Sequence, residues 1–173
     1  MAEFKAFGPF KLACDHRDGG GRTIQKDGFW EAQDQLSSLK GKFGIYVFAI
    51  KPPRTKVYTP CYVGQAKKSF GSEAFTNDKL LKYNNALADY KKGAPYMFFL
   101  AHPDTKKNLK QIGQLEDYLI MMGFAVNAEI QNDKGAKLPI WAVSGVIRGT
   151  VKKPAAAARH IAGMFEIKSR KGV

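Results

Sequence analysis

The sequence predicts a mixed α+β protein: a small three-stranded sheet of antiparallel type, in the order β-β-α-β-α, flanked by helices and followed by a basic α/β appendage. Two runs rich in β-branched and aromatic residues, 43–50 and 57–64, indicate a hairpin. Apolar residues at three- and four-residue spacing predict helices over 77–92 and 108–122. The continuous apolar run at 96–101, between the two helices, indicates a buried strand.

The turn of the hairpin lies in residues 51–55, where two prolines cannot continue a ladder of backbone hydrogen bonds. A turn centred near Arg54 would place Tyr46 opposite Tyr62, with both phenols on one face of the sheet. An aromatic pair that only packs is the alternative explanation of such a contact. Pro60 indicates an interruption of the ladder that could shift this register by one residue.

Each predicted helix has an apolar stripe that should face the sheet, and each has a glycine beyond its predicted end, Gly93 and Gly123. The inward-facing residues are Leu80, Tyr83, Asn84 and Leu87 in the first helix, and Ile112, Leu115, Leu119 and Met122 in the second.

The chain divides into an N-terminal extension of residues 1–40, a central core of residues 41–130 and a basic C-terminal extension of residues 131–173. The N-terminal extension is predicted to be irregular apart from a short helix around 29–39. In the C-terminal extension, one or two short strands are predicted within residues 138–147. Pro154 is suited to open a final helix.

The net charge of +13 is unevenly distributed along the 173 residues. Residues 1–40 contain six basic and six acidic side chains, so their charges balance. Residues 41–130 contain thirteen basic and seven acidic side chains, and residues 131–173 contain nine basic and two acidic ones. Such a basic surface attracts polyanions, and nucleic acid is the commonest of these, although many basic proteins bind none. The chain contains two cysteines and lacks both a membrane-spanning apolar run and a signal-peptide pattern. These features predict a reduced, cytoplasmic protein with no membrane partner.

Glu116 lies on or beside the apolar stripe of the second helix. A carboxylate among apolar neighbours is costly unless it is paired or bound to a cation. A bound cation and a salt bridge to Lys79 or Lys82 explain it about equally well.

Taken together, Gly44-Ile45-Tyr46, then Tyr62-Val63-Gly64, a basic helix, Glu116 and Asn127 resemble the GIY-YIG nuclease superfamily over roughly residues 41–130. The resemblance implies a metal-dependent endonuclease that hydrolyses phosphodiester bonds in DNA. It implies that Tyr46 helps to activate the attacking water, and that Tyr62 orients this water or contacts the scissile phosphate. Glu116 would be the single protein ligand of a divalent cation, Mg²⁺ or Mn²⁺. No organic cofactor is implied.

The first helix departs from the family pattern, because residues 75–92 contain no arginine where the family usually has one. Lys79 is the preferred substitute, since Lys79 and Tyr83 reproduce the Arg-Leu-x-x-Tyr spacing of the repair enzymes, while Lys82 fits the distance to Gly93 better. Lysine supplies positive charge but lacks the bidentate fork of arginine. Tyr83 could replace a second aromatic or histidine group.

The resemblance assigns supporting roles to three further residues. Asn127 would support the architecture of the site, and Gly44 and Gly64 would keep the backbone open near the substrate. Basic residues near the site and in the C-terminal extension are expected to contact DNA phosphates, with a solubilising tail as the alternative for the extension. The expected DNA-binding residues are Lys67, Lys68, Arg148, Lys152 and Lys153.

The sequence is therefore compatible with three functions: an endonuclease, a DNA-binding module of the same fold without cleavage, and a structural protein with an accidental motif. Since one catalytic centre cuts one strand, recognition and double-strand cleavage could require a homodimer or a partner subunit.

Overall fold

The computed structural model describes residues 3–16, 21–103, 108–132, 143–144, 148–149, 153 and 155–164. The strands are β1 (Lys5–Lys11), β2 (Ala13–His16), β3 (Arg22–Gln25), β4 (Gly44–Lys51), β5 (Thr59–Ala66), β6 (Ala94–Ala101), β7 (Val143–Ser144) and β8 (Arg148–Gly149). The helices are α1 (Asp34–Lys40), α2 (Phe70–Glu73), α3 (Asn77–Asp89), α4 (Leu109–Val126) and α5 (Ala156–Met164). The predicted mixed α+β class is confirmed.

The main sheet has four antiparallel strands in the order β1-β6-β4-β5, rather than the predicted three. The fourth strand, β1, comes from the N-terminal segment, and β2 and β3 form a separate antiparallel pair. The prediction that residues 1–40 are irregular outside one helix is therefore wrong. Gly8 and Pro9 interrupt the β1 ladder at a shift in register, which an edge strand tolerates because its outer backbone groups need no partner strand.

The hairpin register differs from the prediction by two residues. Tyr46 pairs with Gly64, and Phe48 pairs with Tyr62. The loop between β4 and β5 is centred near Thr55 rather than Arg54, and a bulge lies between the Phe48–Tyr62 and Ala49–Pro60 pairs. Because side chains alternate between faces with a period of two, a displacement of two residues keeps Tyr46 and Tyr62 on the same face.

Two apolar clusters cover the two faces of the sheet. One contains Tyr46 and Phe48 of β4 together with residues of α1, α2 and α3. The other contains Ile45 of β4 and Val63 of β5, packed against Ile112 and Ile120 of α4. The two faces of β5 are thus directed toward different helices. Because β5 is the last strand of the sheet, side chains from α3 and α4 can meet at the edge that pairs with no other strand.

The predicted inward faces are only partly correct. In α3, Tyr83 and Leu87 are buried as expected, and Ala86 is buried beside them. In α4, Met122 is 48% exposed, whereas Ile120 and Gly123 are buried. The prediction that the helix ends before Gly123 is wrong, because α4 continues to Val126. Gly123 instead packs against Ile130, where an added Cβ would lie 2.8 Å from Cδ1 of that residue.

The chain forms two compact units, Met1–Ala136 and Lys137–Val173. Within the second unit, β7 and β8 pair in parallel, and α5 begins at Ala156, two residues after the proline predicted to open a final helix. No helix in the described parts of either unit combines the length and apolar character needed to cross a membrane.

Gly44, at the start of β4, has a φ of 144°, and a Cβ at this position would overlap the carbonyl oxygen of Leu100 on β6. We expect Gly44→Ala to lower the free energy of unfolding by about 2–5 kcal/mol, because it combines backbone strain with a steric clash inside the sheet. Urea denaturation measures this loss. Gly41→Ala is the matched control, since Gly41 has a φ of −85° and open space around its Cβ position. Equal stability of the two variants would contradict the prediction.

Candidate active site

A cleft of about 370 Å³ lies at the edge of β5 that pairs with no other strand, and it brings together all four predicted catalytic residues. Its lining consists of Tyr46, Tyr62, Gln65, Lys67, Glu73, Thr76, Lys79 and Glu116. The tyrosines come from the hairpin, Lys79 from α3 and Glu116 from α4. Groups separated by 70 residues in the sequence therefore share one concave surface.

Glu116 is half-buried, and Gln65 donates hydrogen bonds to both of its carboxylate oxygens. The backbone N–H of Gln65 lies 3.1 Å from Oε1, and its side-chain Nε2 lies 2.7 Å from Oε2. Burial raises the pKa of Glu116 above its usual value, although the Gln65 backbone bond opposes this shift. The carboxylate is thus fixed in orientation, and its charge is favoured by any cation that enters the cleft.

Tyr46 is almost completely buried, at 1% exposed, with its hydroxyl 3.4 Å from the carbonyl oxygen of Glu73. Burial, and secondarily the nearby Tyr62 and Glu73, raise the pKa of the Tyr46 phenol far above its usual value. This tyrosine therefore remains a neutral phenol at physiological pH. A neutral phenol is suited to orienting a water molecule by hydrogen bonding rather than to accepting its proton as a phenolate base.

Tyr62 lies between Tyr46 and the basic side chains of α3. Its ring centroid is 6.2 Å from that of Tyr46 and 5.8 Å from that of Tyr83. The ammonium groups of Lys79 and Lys82 lie 5.5 and 5.8 Å from the ring centroid. Cations at this distance interact favourably with an aromatic ring, so Tyr62 helps to position them.

The two candidate lysines have different surroundings. Lys79 lines the cleft and forms an ion pair of 2.5 Å with Asp78. Burial lowers the pKa of Lys79, but Asp78 and Tyr62 raise it by more, so the group stays charged. Lys82 does not line the cleft, and its Nζ donates to the carbonyl oxygen of Gln131 at 3.0 Å. The geometry therefore favours Lys79.

Tyr83 and the two glycines do not have the expected surroundings. Tyr83 is fully buried, stacks on Phe48 at 4.4 Å and donates its hydroxyl to Ala74 at 2.7 Å, so it supports Tyr62 rather than reaching the cleft. Gly44 makes room for a carbonyl of β6. At Gly64, an added Cβ would lie 2.5 Å from the hydroxyl oxygen of Tyr46. Both glycines thus accommodate protein atoms rather than leaving the backbone open.

The outer edge of β5 is held by the segment that follows α4. Asn127 Nδ2 donates to the Pro60 carbonyl at 2.8 Å, and the Gln131 N–H donates to the Cys61 carbonyl at 2.7 Å. Asn132 forms two bonds with the backbone of Val63, at 2.9 and 2.6 Å. These contacts fix the strand that carries Tyr62 and Gln65.

We expect Asn127→Ala to lower the free energy of unfolding by about 1–3 kcal/mol, because it removes hydrogen bonds to the partly buried backbone groups of Pro60 and Glu129. The Asn127 side chain also accepts the N–H of Glu129 at 3.1 Å, and the residue is only 7% exposed. Chemical denaturation gives the difference. Asn85→Ala, at an exposed position of α3, is the control. A loss no larger than that of the control would show that the contacts of Asn127 contribute little.

Of the expected DNA-binding residues, Lys67 is exposed and lines the cleft. Lys68 is exposed outside the lining, and its backbone N–H donates to the carboxylate of Glu73. Lys153 is exposed in the second unit. Lys152 and the side chain of Arg148 lie outside the described residues.

Three further residues of the cleft lining, Gln65, Glu73 and Thr76, are not predicted from the sequence. Gln65 follows the Tyr62-Val63-Gly64 tripeptide, and strand alternation places it on the same face as Val63, which packs toward α4. This alternation could have identified it as a partner of Glu116. Glu73 and Thr76 flank the connection between α2 and α3, where no periodic pattern indicates their direction.

Residues 3–16, 21–103, 108–132 and the short described pieces beyond them contain no group of three or more His, Cys, Asp or Glu side chains suited to hold a metal. Mg²⁺ does not require such a group, since it is usually held by one or two carboxylates and keeps several waters. Glu116, whose carboxylate lines the cleft, fits this kind of hydrated site. The Gln65 carboxamide beside it offers a further oxygen ligand.

Comparisons of the chain with protein-family models, with curated proteins and with solved structures give no match.

Proposed function

We propose that this chain is a GIY-YIG-type endonuclease that hydrolyses phosphodiester bonds in DNA with the help of a divalent cation. The proposal is supported above all by one observation: Tyr46, Tyr62, Lys79 and Glu116 line the same cleft. The resemblance implies Tyr46, Tyr62 and Glu116, and Lys79 is the preferred substitute for the expected arginine, with Lys82 as the alternative. In phosphodiester hydrolysis, phenols can orient water, an ammonium group can neutralise charge on the phosphate, and a carboxylate can hold a cation.

In the proposed reaction, a water oxygen forms a bond to phosphorus, and the bond from phosphorus to the leaving sugar oxygen breaks. The water loses a proton to solvent, and the leaving oxygen gains one. Tyr46 and Tyr62 orient the water through their hydroxyl groups. The ammonium of Lys79 neutralises charge that develops on the phosphate oxygens. Glu116 would hold a Mg²⁺ ion, which supplies Lewis-acid stabilisation of negative charge when bound.

The proposal predicts that the wild-type chain nicks supercoiled plasmid DNA when Mg²⁺ or Mn²⁺ is added, and that EDTA stops the reaction. Conversion of supercoiled to open-circular DNA on an agarose gel measures the activity. Nicking is expected rather than linearisation, because one cleft contains one set of catalytic groups. No cleavage of single- or double-stranded DNA under any of several divalent metals would overturn the enzyme proposal.

A second candidate, a DNA-binding module without cleavage, is favoured by the ion pair between Lys79 and Asp78. This pair partly neutralises the one α3 cation that lines the cleft. Salt-sensitive DNA binding without nicking would support this candidate.

A further inference from the structure

Three aromatic side chains lie together on the face of the main sheet that packs against α4. Phe98 of β6 pairs with Val47, whose side chain belongs to the α4 side of the sheet, and Tyr96 follows Phe98 on the same face by strand alternation. Tyr58, in the loop before β5, contacts both of these rings at centroid distances of 5.1 Å. The rings of Tyr58, Tyr96 and Phe98 are termed the aromatic platform.

The aromatic platform is partly exposed and belongs to neither apolar cluster. On this face α4 packs on β5 and β4. The neighbouring strand β1 approaches Phe98 with Gly8, where an added Cβ would lie 3.0 Å from the ring. The contacts within the platform are T-shaped and use the edge of one ring and the face of the other, so part of the ring surface is open to solvent.

The part of the sheet around the aromatic platform is positively charged. It is formed by residues 4–14, 44–66 and 90–103, and none of these three segments contains Asp or Glu. No cation in them forms an ion pair with a described residue, so their charge is not neutralised locally. These cations are Lys5, Lys11, Lys51, Arg54, Lys56, Lys91 and Lys92.

Two of the cations lie beside the rings themselves. The ammonium nitrogen of Lys51 is 5.4 Å from the ring centroid of Tyr58. Lys11 is exposed and pairs with Tyr96 across the ladder between β1 and β6. A planar, uncharged group that stacks on the platform can therefore carry an anionic group to either side of it.

We propose that the aromatic platform binds single-stranded DNA. The bases lie against Tyr96 and Phe98, and the phosphates contact Lys11 and Lys51. Aromatic rings on an exposed sheet face stack unpaired bases, and cations beside them follow the backbone. The choice of DNA rests on the proposed function, but the platform itself is separate from the cleft, because β4 lies between β6 and β5 in the sheet.

Two strands with the same backbone charge test whether the bases stack. The probes are a fluorescein-labelled ten-nucleotide thymidine strand and an abasic strand of equal length, and EDTA prevents metal-dependent cleavage during the measurement. Fluorescence anisotropy gives the Kd of each complex. The wild-type chain should bind the thymidine strand about tenfold more tightly than the abasic strand, because stacking of each base adds to the affinity.

A variant that combines Tyr96→Leu and Phe98→Leu removes two rings of the platform and keeps apolar side chains in their place. It should bind the thymidine strand about tenfold more weakly and the abasic strand within about twofold of the wild type. Tyr118→Leu is the matched control, since Tyr118 is 55% exposed on α4 and lies outside the platform. It should leave both affinities within about twofold of the wild type. A thermal melt of each variant checks the fold.

Charge reversal provides a second measurement, at positions where the core is not altered. Lys11→Glu should weaken binding of both strands by about tenfold, because it replaces a phosphate contact with repulsion. Lys110→Glu, at an exposed position of α4 outside the cleft lining, makes the same change in net charge and should weaken binding less than about threefold.

The platform proposal is overturned if the wild type binds the thymidine and abasic strands equally, if the double ring variant loses no more affinity than Tyr118→Leu, or if Lys11→Glu and Lys110→Glu weaken binding equally. Tighter binding of a uridine strand of the same length would overturn the assignment to DNA. Plasmid nicking by the wild type is scored separately. Nicking without preference for the thymidine strand removes only the platform proposal, whereas that preference without nicking removes only the endonuclease proposal.

Discussion

Replacing Glu116 with glutamine should reduce metal-dependent nicking by about a thousandfold or more, since the cleft then lacks the carboxylate that would hold the cation. Glutamine keeps the length of the side chain, and its carbonyl oxygen can still accept the N–H of Gln65, which now lies 3.1 Å from Oε1. The fold should therefore be retained. The rate of plasmid nicking is measured at several Mg²⁺ and Mn²⁺ concentrations. A thermal melt of the same variant shows whether a slower rate reflects loss of activity or loss of structure.

Asp117→Asn is the matched control for this variant. It removes one negative charge from the neighbouring position of α4, where the side chain is exposed and does not line the cleft. Its nicking rate should remain within about threefold of the wild type, because exposed charges are strongly screened. If Glu116→Gln and Asp117→Asn lose activity equally, or if Glu116→Gln stays active, Glu116 does not hold the cation.

The second large effect is expected at Lys79. Lys79→Met preserves the length of the side chain and removes its ammonium group, so nicking should slow by about a hundredfold. Stability should change little, since the ion pair with Asp78 involves an acidic side chain that is 62% exposed. Single-turnover cleavage at saturating protein isolates the chemical step from DNA binding.

Two further variants decide between the alternatives for the arginine position. Lys82→Met should slow nicking less than about fivefold, because Lys82 donates to the Gln131 carbonyl and lies outside the cleft lining. Lys79→Arg should keep or raise the rate, since guanidinium matches the geometry of a phosphate. A larger loss in Lys82→Met than in Lys79→Met would transfer the role to Lys82.

The tyrosine pair illustrates how much of the candidate site was predictable from the sequence. The expected register was wrong by two residues, yet Tyr46 and Tyr62 still share a face. Because successive side chains alternate between the two faces of a strand, a register error of two residues leaves both tyrosines on one face. A register error of one residue would have placed them on opposite faces. Glu116 was predictable because helical periodicity places it beside the apolar stripe of α4.

Other features depend on contacts between distant segments. β1 pairs with β6, about 90 residues further along the chain, and its Gly8–Pro9 interruption conceals the strand pattern. Strand alternation directs Gln65 toward α4, but its backbone N–H can reach Glu116 only because β5 is an edge strand. No local pattern contains that information, because strand order is set by packing of the whole sheet.

The contacts along β5 also limit how two copies of this chain can associate. Pro60, Cys61, Val63 and Gln65 already have partners for outward-facing backbone groups, so this edge cannot extend into the sheet of a second molecule. The opposite edge, β1, carries exposed lysines at positions 5 and 11 and a register break between Phe7 and Phe10, features that discourage strand pairing. A pair of molecules that cuts both strands of a duplex is therefore not expected to assemble by extending the main sheet from one molecule into the other.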